Sequence, residues 1–174
     1  IVNESRKDRI SAEPCDELTR LICHGAELLQ SQPQLSLLKP KKVTFLSSET
    51  ELGQAIEKIS KANYSNLPVY DGKRLIGVLN NRRIVRVLGQ LLEQGGTIEE
   101  CLKLPCANVL HEDDMTRFYR ILGRQNTIQD VIDAFEENRK LLAVLVTVSG
   151  KPNDEIVNLL TSADLPMLIR FLDE

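Results

Sequence analysis

An internal repeat constrains this chain more than any other feature. Leu52, Ala55, Ile56, Ile59 and Val69 recur as Ile128, Val131, Ile132, Phe135 and Leu145, at a constant spacing of 76 residues. Gly77, Asn80 and Ile84 recur as Asn158, Thr161 and Leu165, at a spacing of 81. The change in spacing falls in one turn, SGKPNDE in the second copy, where an insertion is tolerated.

Each copy reads β-α-β-β-α. In the first, VTFL (43–46) is a short strand, and SSETELGQAIEKISKAN is a helix with its apolar residues on one face. NLPVY and RLIGVLN are strands joined around Asp71-Gly72. A second helix runs over about 81–92, and QGG (94–96) ends it. In the second copy, FYRIL (118–122), NTIQDVIDAFEENRK, LLAVLVTV, IVNLLT and ADLPMLIRFL follow the same order. A unit of this size is too small to bury a core alone. The expected fold is therefore mixed α/β (α+β), with two repeats packed sheet to sheet about a pseudo-twofold axis and a cleft on either side. Aromatic residues are 4% of the chain and Trp is absent, so the core is aliphatic.

The chain divides into an N-terminal tail and helix (1–42), a first repeat (43–92), a connecting segment (93–117) and a second repeat (118–174). Leu18, Leu21, Ile22, Ala26 and Leu29 predict a helix over 14–30, opened by Pro14. SQPQ (31–34) breaks it, and KPKK (39–42) is a linker into the first repeat. TIEECLKL (97–104) predicts a helix capped by Thr97 and Glu100 and stopped by Pro105. LHEDDM reads as an acidic loop.

A net charge of -3 gives no basic field for nucleic acid. The longest apolar run, LLAVLV, is far too short to cross a membrane. The polar start, IVNESRKDRI, has no secretory character, so a cytoplasmic protein is expected. The chain begins without Met, as a trimmed chain or a piece of a larger protein does. Cys15, Cys23, Cys101 and Cys106 show no CxxC pair, so reduced thiols and no metal are expected. No nucleophile, P-loop or dinucleotide motif occurs, and no enzyme is expected.

Leu67, Pro68, Val69, Asp71, Gly72, Gly77, Val78 and Leu79, in LPVYDGKRLIGVL, resemble the signature of the cystathionine-β-synthase (CBS) domain. AVLVTVSGKPNDEIVNLLTSADL is a weaker second copy, with Val144 in place of Pro68 and Asn158 in place of Gly77. The resemblance covers residues 43–172. It implies a tandem pair, or Bateman module, that senses adenine nucleotides such as AMP, ADP, ATP, S-adenosylmethionine or cyclic di-AMP. No cofactor is required: the nucleotide is a regulatory ligand. The resemblance also implies a homodimer and an unknown downstream protein. Two further classes stand beside this reading. One is a non-binding structural or dimerisation module attached to or derived from a larger enzyme or transporter. The other is an enzyme, which would need chemistry from the flanking segments.

In the family, a Thr or Ser closing the third strand meets phosphate, and an Asp three residues on meets ribose. Thr161, Ser162 and Asp164 match that pattern, and Tyr119, Ile121, Val144 and Pro68 are the candidates for the adenine wall. Thr-x-x-Asp is equally a helix cap, so both readings stand. Pro166 suits the first helical turn only if Asp164 is the cap. The first copy has Asn80 and Arg83 at the matching positions, and a guanidinium cannot accept a ribose hydroxyl. Arg82, Arg83 and Arg86 oppose the dipole of the helix they open. Either they bind phosphate, or they form a solvated face paired with the acidic residues 111–114. Tyr119 either stacks on adenine or packs in the core.

Overall fold

The computed structural model describes residues 19–21 and 32–173. Thr19–Leu21 are helical, and the rest of the helix expected over 14–30 lies outside the described residues. The chain divides into two compact units, Ile1–Gln32 and Pro33–Glu174. The second unit carries both repeats.

The first repeat comprises β1 (Leu46–Ser47), α1 (Leu52–Ala62), β2 (Asn66–Asp71), β3 (Arg74–Asn80) and α2 (Asn81–Glu93). The second comprises β4 (Tyr119–Gly123), α6 (Ile128–Glu137), β5 (Ala143–Thr147), β6 (Ile156–Leu160) and α7 (Leu165–Asp173). Between them lie α3 (Ile98–Leu102), α4 (Cys106–Val109) and α5 (Glu112–Phe118). Each repeat builds one three-stranded sheet in chain order, with its first pair parallel and its second antiparallel. Both hairpins carry a register shift at a matching place, between Val69 and Tyr70 and between Val146 and Thr147, so Val69 corresponds to Val146 and not to Leu145, one residue beyond the spacing of 76. Such bulges re-aim the side chains that follow.

The turn of the first hairpin needs Gly72, whose φ of 56° is left-handed. α3 has its capping box: Thr97 accepts from the Glu100 amide while Glu100 accepts from the Thr97 amide. Thr127 and Asp130 cap α6 in the same way.

Each repeat has its own aliphatic cluster, one around Leu46, Leu52 and Leu79, the other around Ile128, Val131 and Leu160. A third cluster is shared. Leu75 and Val78 of β3 meet Phe118, Tyr119, Ala143 and Leu145 of the second repeat.

One expectation is corrected. The acidic stretch after Leu110 is helical, not a loop. His111 caps α5, accepting from the Asp113 amide, and Glu112, Asp113 and Asp114 occupy the first turn, where the helix dipole favours them. The segment from Leu35 to Leu38, ahead of the first repeat, is tied to the second. Leu35 and Ser36 donate backbone hydrogen bonds to Asn126 and Arg124, and Leu35 and Leu38 are buried in the second repeat's cluster. These residues belong to the same compact unit as both repeats, Pro33–Glu174.

Leu145 is fully buried in the shared cluster. Leu145→Ala should cost about 2–5 kcal/mol through lost transfer energy and a cavity. Urea unfolding followed by fluorescence and by circular dichroism should keep one coincident transition at a lower midpoint. Two separate transitions would contradict a shared core.

Candidate functional site

The end of β3 and the end of β6 are equivalent places, each feeding a helix. Their polar chemistry differs. Asn80 caps α2, its Oδ1 accepting from the Arg83 amide at 2.9 Å. Its Nδ2 donates to the Tyr119 hydroxyl at 2.7 Å, and that hydroxyl donates to Asn66 Oδ1 at 3.1 Å. The three residues bridge the repeats. Burial pushes the Tyr119 phenol well above its usual range, and Asp114 adds to this against the Asn80 bond and Arg82. The phenol therefore stays protonated and keeps its place as a donor. Its ring is buried between the repeats and lines neither cleft described below.

Arg83 turns its guanidinium into the connecting segment. Nε donates to the Val109 carbonyl, Nη2 donates to the Leu110 carbonyl at 3.4 Å, and Asp114 lies 3.9 Å away. The Arg83 and Asp114 side chains are only 10% and 12% exposed. These contacts offset the unfavourable placement of a cation in a first helical turn. Arg82 lies over the Phe118 ring at 5.6 Å, with Arg117 at 5.4 Å, both within cation–π range. Arg86 is exposed. The three arginines are thus not gathered around one point: Arg83 faces the connector carbonyls while Arg82 covers an aromatic ring.

At the end of β6, Asp164 Oδ2 accepts from the Thr161 amide at 2.8 Å and from its hydroxyl at 3.2 Å. Thr161 caps a 3-10 turn, Ser162–Asp164, and α7 begins at Leu165. Because the 3-10 turn precedes α7, Pro166 sits in the first turn of α7, where its missing N–H costs nothing. The other carboxylate oxygen, Oδ1, accepts from Lys41 Nζ at 2.6 Å. Partial burial raises the Asp164 pKa, but the Lys41 bond, the Thr161 bonds and the Lys41 charge outweigh it and hold the carboxyl below its usual range. Ser162 is exposed, Pro68 and Val144 are buried within their strands, and Ile121 is half-buried on the shared cluster.

The two pairs are counterparts with reversed charge. In the second repeat the acid stands at the helix start and Lys41 comes from the segment before β1. In the first repeat Arg83 stands at the helix start and Asp114 comes from the segment before β4. Lys41 and Asp164 are 50% and 20% exposed, against 10% and 12% for the other pair. The sequence reading missed Lys41, whose only signal was its place in KPKK, just ahead of the first strand.

Two clefts flank the segment that carries Lys41. One, of about 200 Å³, is bounded by Lys41 to Thr44, Tyr64, Asn66, Leu67 and Leu159. The other, of about 720 Å³, lies toward the hairpin turns and is bounded by Phe45, Tyr70, Lys73 and the stretch 153–157. Lys41, Lys42 and Val43 form a wall of both. Among the described residues no group of His, Cys, Asp and Glu could hold a metal ion, and no helix is long and apolar enough to cross a membrane.

Asp164→Asn tests the Lys41 pair through pH. A carboxyl with a lowered folded pKa stabilises the fold above its unfolded value of about 3.9, and that stability is lost as pH falls through the folded value. Urea midpoints measured across pH should therefore show the variant less stable than wild type at neutral pH. The gap should close on acidification. A gap independent of pH would contradict the pairing.

A family model for the CBS domain matches residues 39–90. No curated protein matches the chain. Among solved structures, CBSX2 in complex with AMP is 13% identical, with 82% of this chain and 99% of that one covered and a TM-score of 0.60. A protein from Vibrio cholerae described as AcuB, of acetoin utilization, is 15% identical, with 82% and 94% covered and a TM-score of 0.60. Protein MJ1225 from Methanocaldococcus jannaschii, described as an archaeal homologue of g-AMPK, is 16% identical. There 86% of this chain and 52% of that one are covered, with a TM-score of 0.63.

Proposed function

The chain carries a tandem CBS pair, and on that premise we propose that it is a regulatory module that binds an adenine nucleotide in the cleft beside Lys41, Thr161 and Asp164. The observation that carries this reading is the contrast between the two charge pairs. Arg83 and Asp114 close their side with a buried pair and two carbonyl bonds. Lys41 and Asp164 are joined by a single partly exposed contact. A ribose can take the Asp164 carboxylate, and the released ammonium can then meet phosphate. The small apolar cleft next to it offers Val43, Leu67 and Leu159 to a base. The AMP complex of CBSX2, a protein of the same fold, supports this class of ligand.

In this reading Thr161 and Ser162 present hydroxyls to phosphate, while Asn80 and Tyr119 hold the repeats together and Arg83 ties the first repeat to the connecting segment. The module works in the cytoplasm as a homodimer, through apolar side chains left open on α2 and α7, Val85, Leu92, Ile169 and Phe171. It performs no chemistry of its own and passes its state to a downstream protein. A second reading, a scaffold that binds no nucleotide, is favoured by one observation: both Asp164 oxygens are already bonded within the chain.

Thermal unfolding against AMP, ADP, ATP, S-adenosylmethionine and cyclic di-AMP separates the two. A ligand at about 100 times its Kd should stabilise the fold by about 2.7 kcal/mol. Asp164→Ala should abolish the shift. Arg83→Ala should lower the unfolding temperature while leaving the shift in place. No shift with any of these nucleotides would favour the scaffold.

A further inference from the structure

The larger cleft is not explained by the nucleotide reading. Its volume of about 720 Å³ falls within the range of small-molecule pockets. It lies at the opposite ends of the strands from the small cleft. β2 contributes Tyr70 here and Asn66 and Leu67 there, while β6 contributes Ile156 and Val157 here and Leu159 there. Its floor is apolar, from Val43, Ile156 and Val157.

An aromatic pair stands at its edge. Phe45 and Tyr70 meet edge to face, with centroids 5.7 Å apart and planes at 72°. Tyr70 is half-buried and packs on the cluster shared by the repeats. Phe45 is 62% exposed, a large ring with an open face in a chain with few aromatics. The bulge after Val69 re-aims Tyr70 at this point in the sheet.

The charge around the cleft is uneven. Lys42 and Lys73 are exposed at its rim and make no ion pair among the described residues. Asp154 is turned to its own loop, accepting from the Ser149 amide at 2.9 Å and from the Ser149 hydroxyl. Glu155 is the one remaining acid of the lining. Two unpaired ammonium groups thus overlook an apolar floor with an open aromatic face.

The geometry points to a second ligand site in this cleft, for a flat aromatic molecule carrying an anionic group. Its ring packs on Phe45 and Tyr70 over Val157, and its anion lies between Lys42 and Lys73. Asp164 does not line this cleft, so the site stands or falls separately from nucleotide binding. It shares the wall formed by Lys41, Lys42 and Val43 with the smaller cleft, which places the two ligands on either side of one segment.

The test is an amide NMR titration of the full chain with naphthalene-1-carboxylate, set beside the neutral naphthalene-1-methanol. The acid should give saturable shifts centred on Gly72, Lys73, Asn153 and Glu155. Affinity should fall at least tenfold for the alcohol, and equally for the acid with Lys42→Gln/Lys73→Gln. Asp164→Ala should not weaken it, since the Lys41 ammonium it releases lies on the shared wall. Failure to saturate, shifts centred on other surfaces, or equal binding of acid and alcohol would each overturn the proposal.

Discussion

Each repeat has a sheet face that only the other repeat can cover. This one constraint organises the rest of the molecule. Three strands and two helices bury too little apolar surface to be stable alone. Leu75 and Val78 of the first repeat therefore meet Phe118, Tyr119, Ala143 and Leu145 of the second. The seam places the ends of β3 and β6, and the segments before β1 and β4, close enough to pair. The polar bridge from Asn66 through Tyr119 to Asn80 fixes the register of that seam, because a slip would leave buried amide groups unpaired.

Around the seam, similar backbones carry opposite side chains. Arg83 reaches Asp114 and two carbonyls, so the first repeat's helix start is tied to the connector. Asp164 reaches Lys41 alone outside its own turn. A pair buried on both sides is costly to break, because separation leaves an uncompensated charge. A half-exposed pair exchanges its partner for water or ligand at small cost. The two sides therefore differ: one is closed by a buried pair, the other is joined by a half-exposed one.

The repeat was legible because its signals are local. Strand alternation, helical spacing, the Asp71-Gly72 turn and the two capping residues of α3 all act within a few positions. What escaped depends on partners far away in sequence. Leu35 gave no signal because its bonding partner, Asn126, belongs to the other repeat. Arg83 stayed open between a phosphate ligand and a partner of the acidic residues 111–114, because a first-turn arginine is unfavourable without a partner. Its acidic partner was weighed, but the carbonyls of Val109 and Leu110 leave no mark in the sequence. α5 did leave one: three acids in a row suit a helix N-terminus as well as a loop. Thr161 and Asp164 remained ambiguous because a cap and a ligand site use the same residue types, and the structure has them capping.

The claim at the centre of this account is that one side opens to ligand and the other does not. Hydrogen–deuterium exchange with and without saturating AMP tests it most directly. The account predicts changed exchange in 41–46 and 159–165, with 80–84 and 109–114 unaltered. Equal changes on both sides, or a change confined to 80–84 and 109–114, would contradict it.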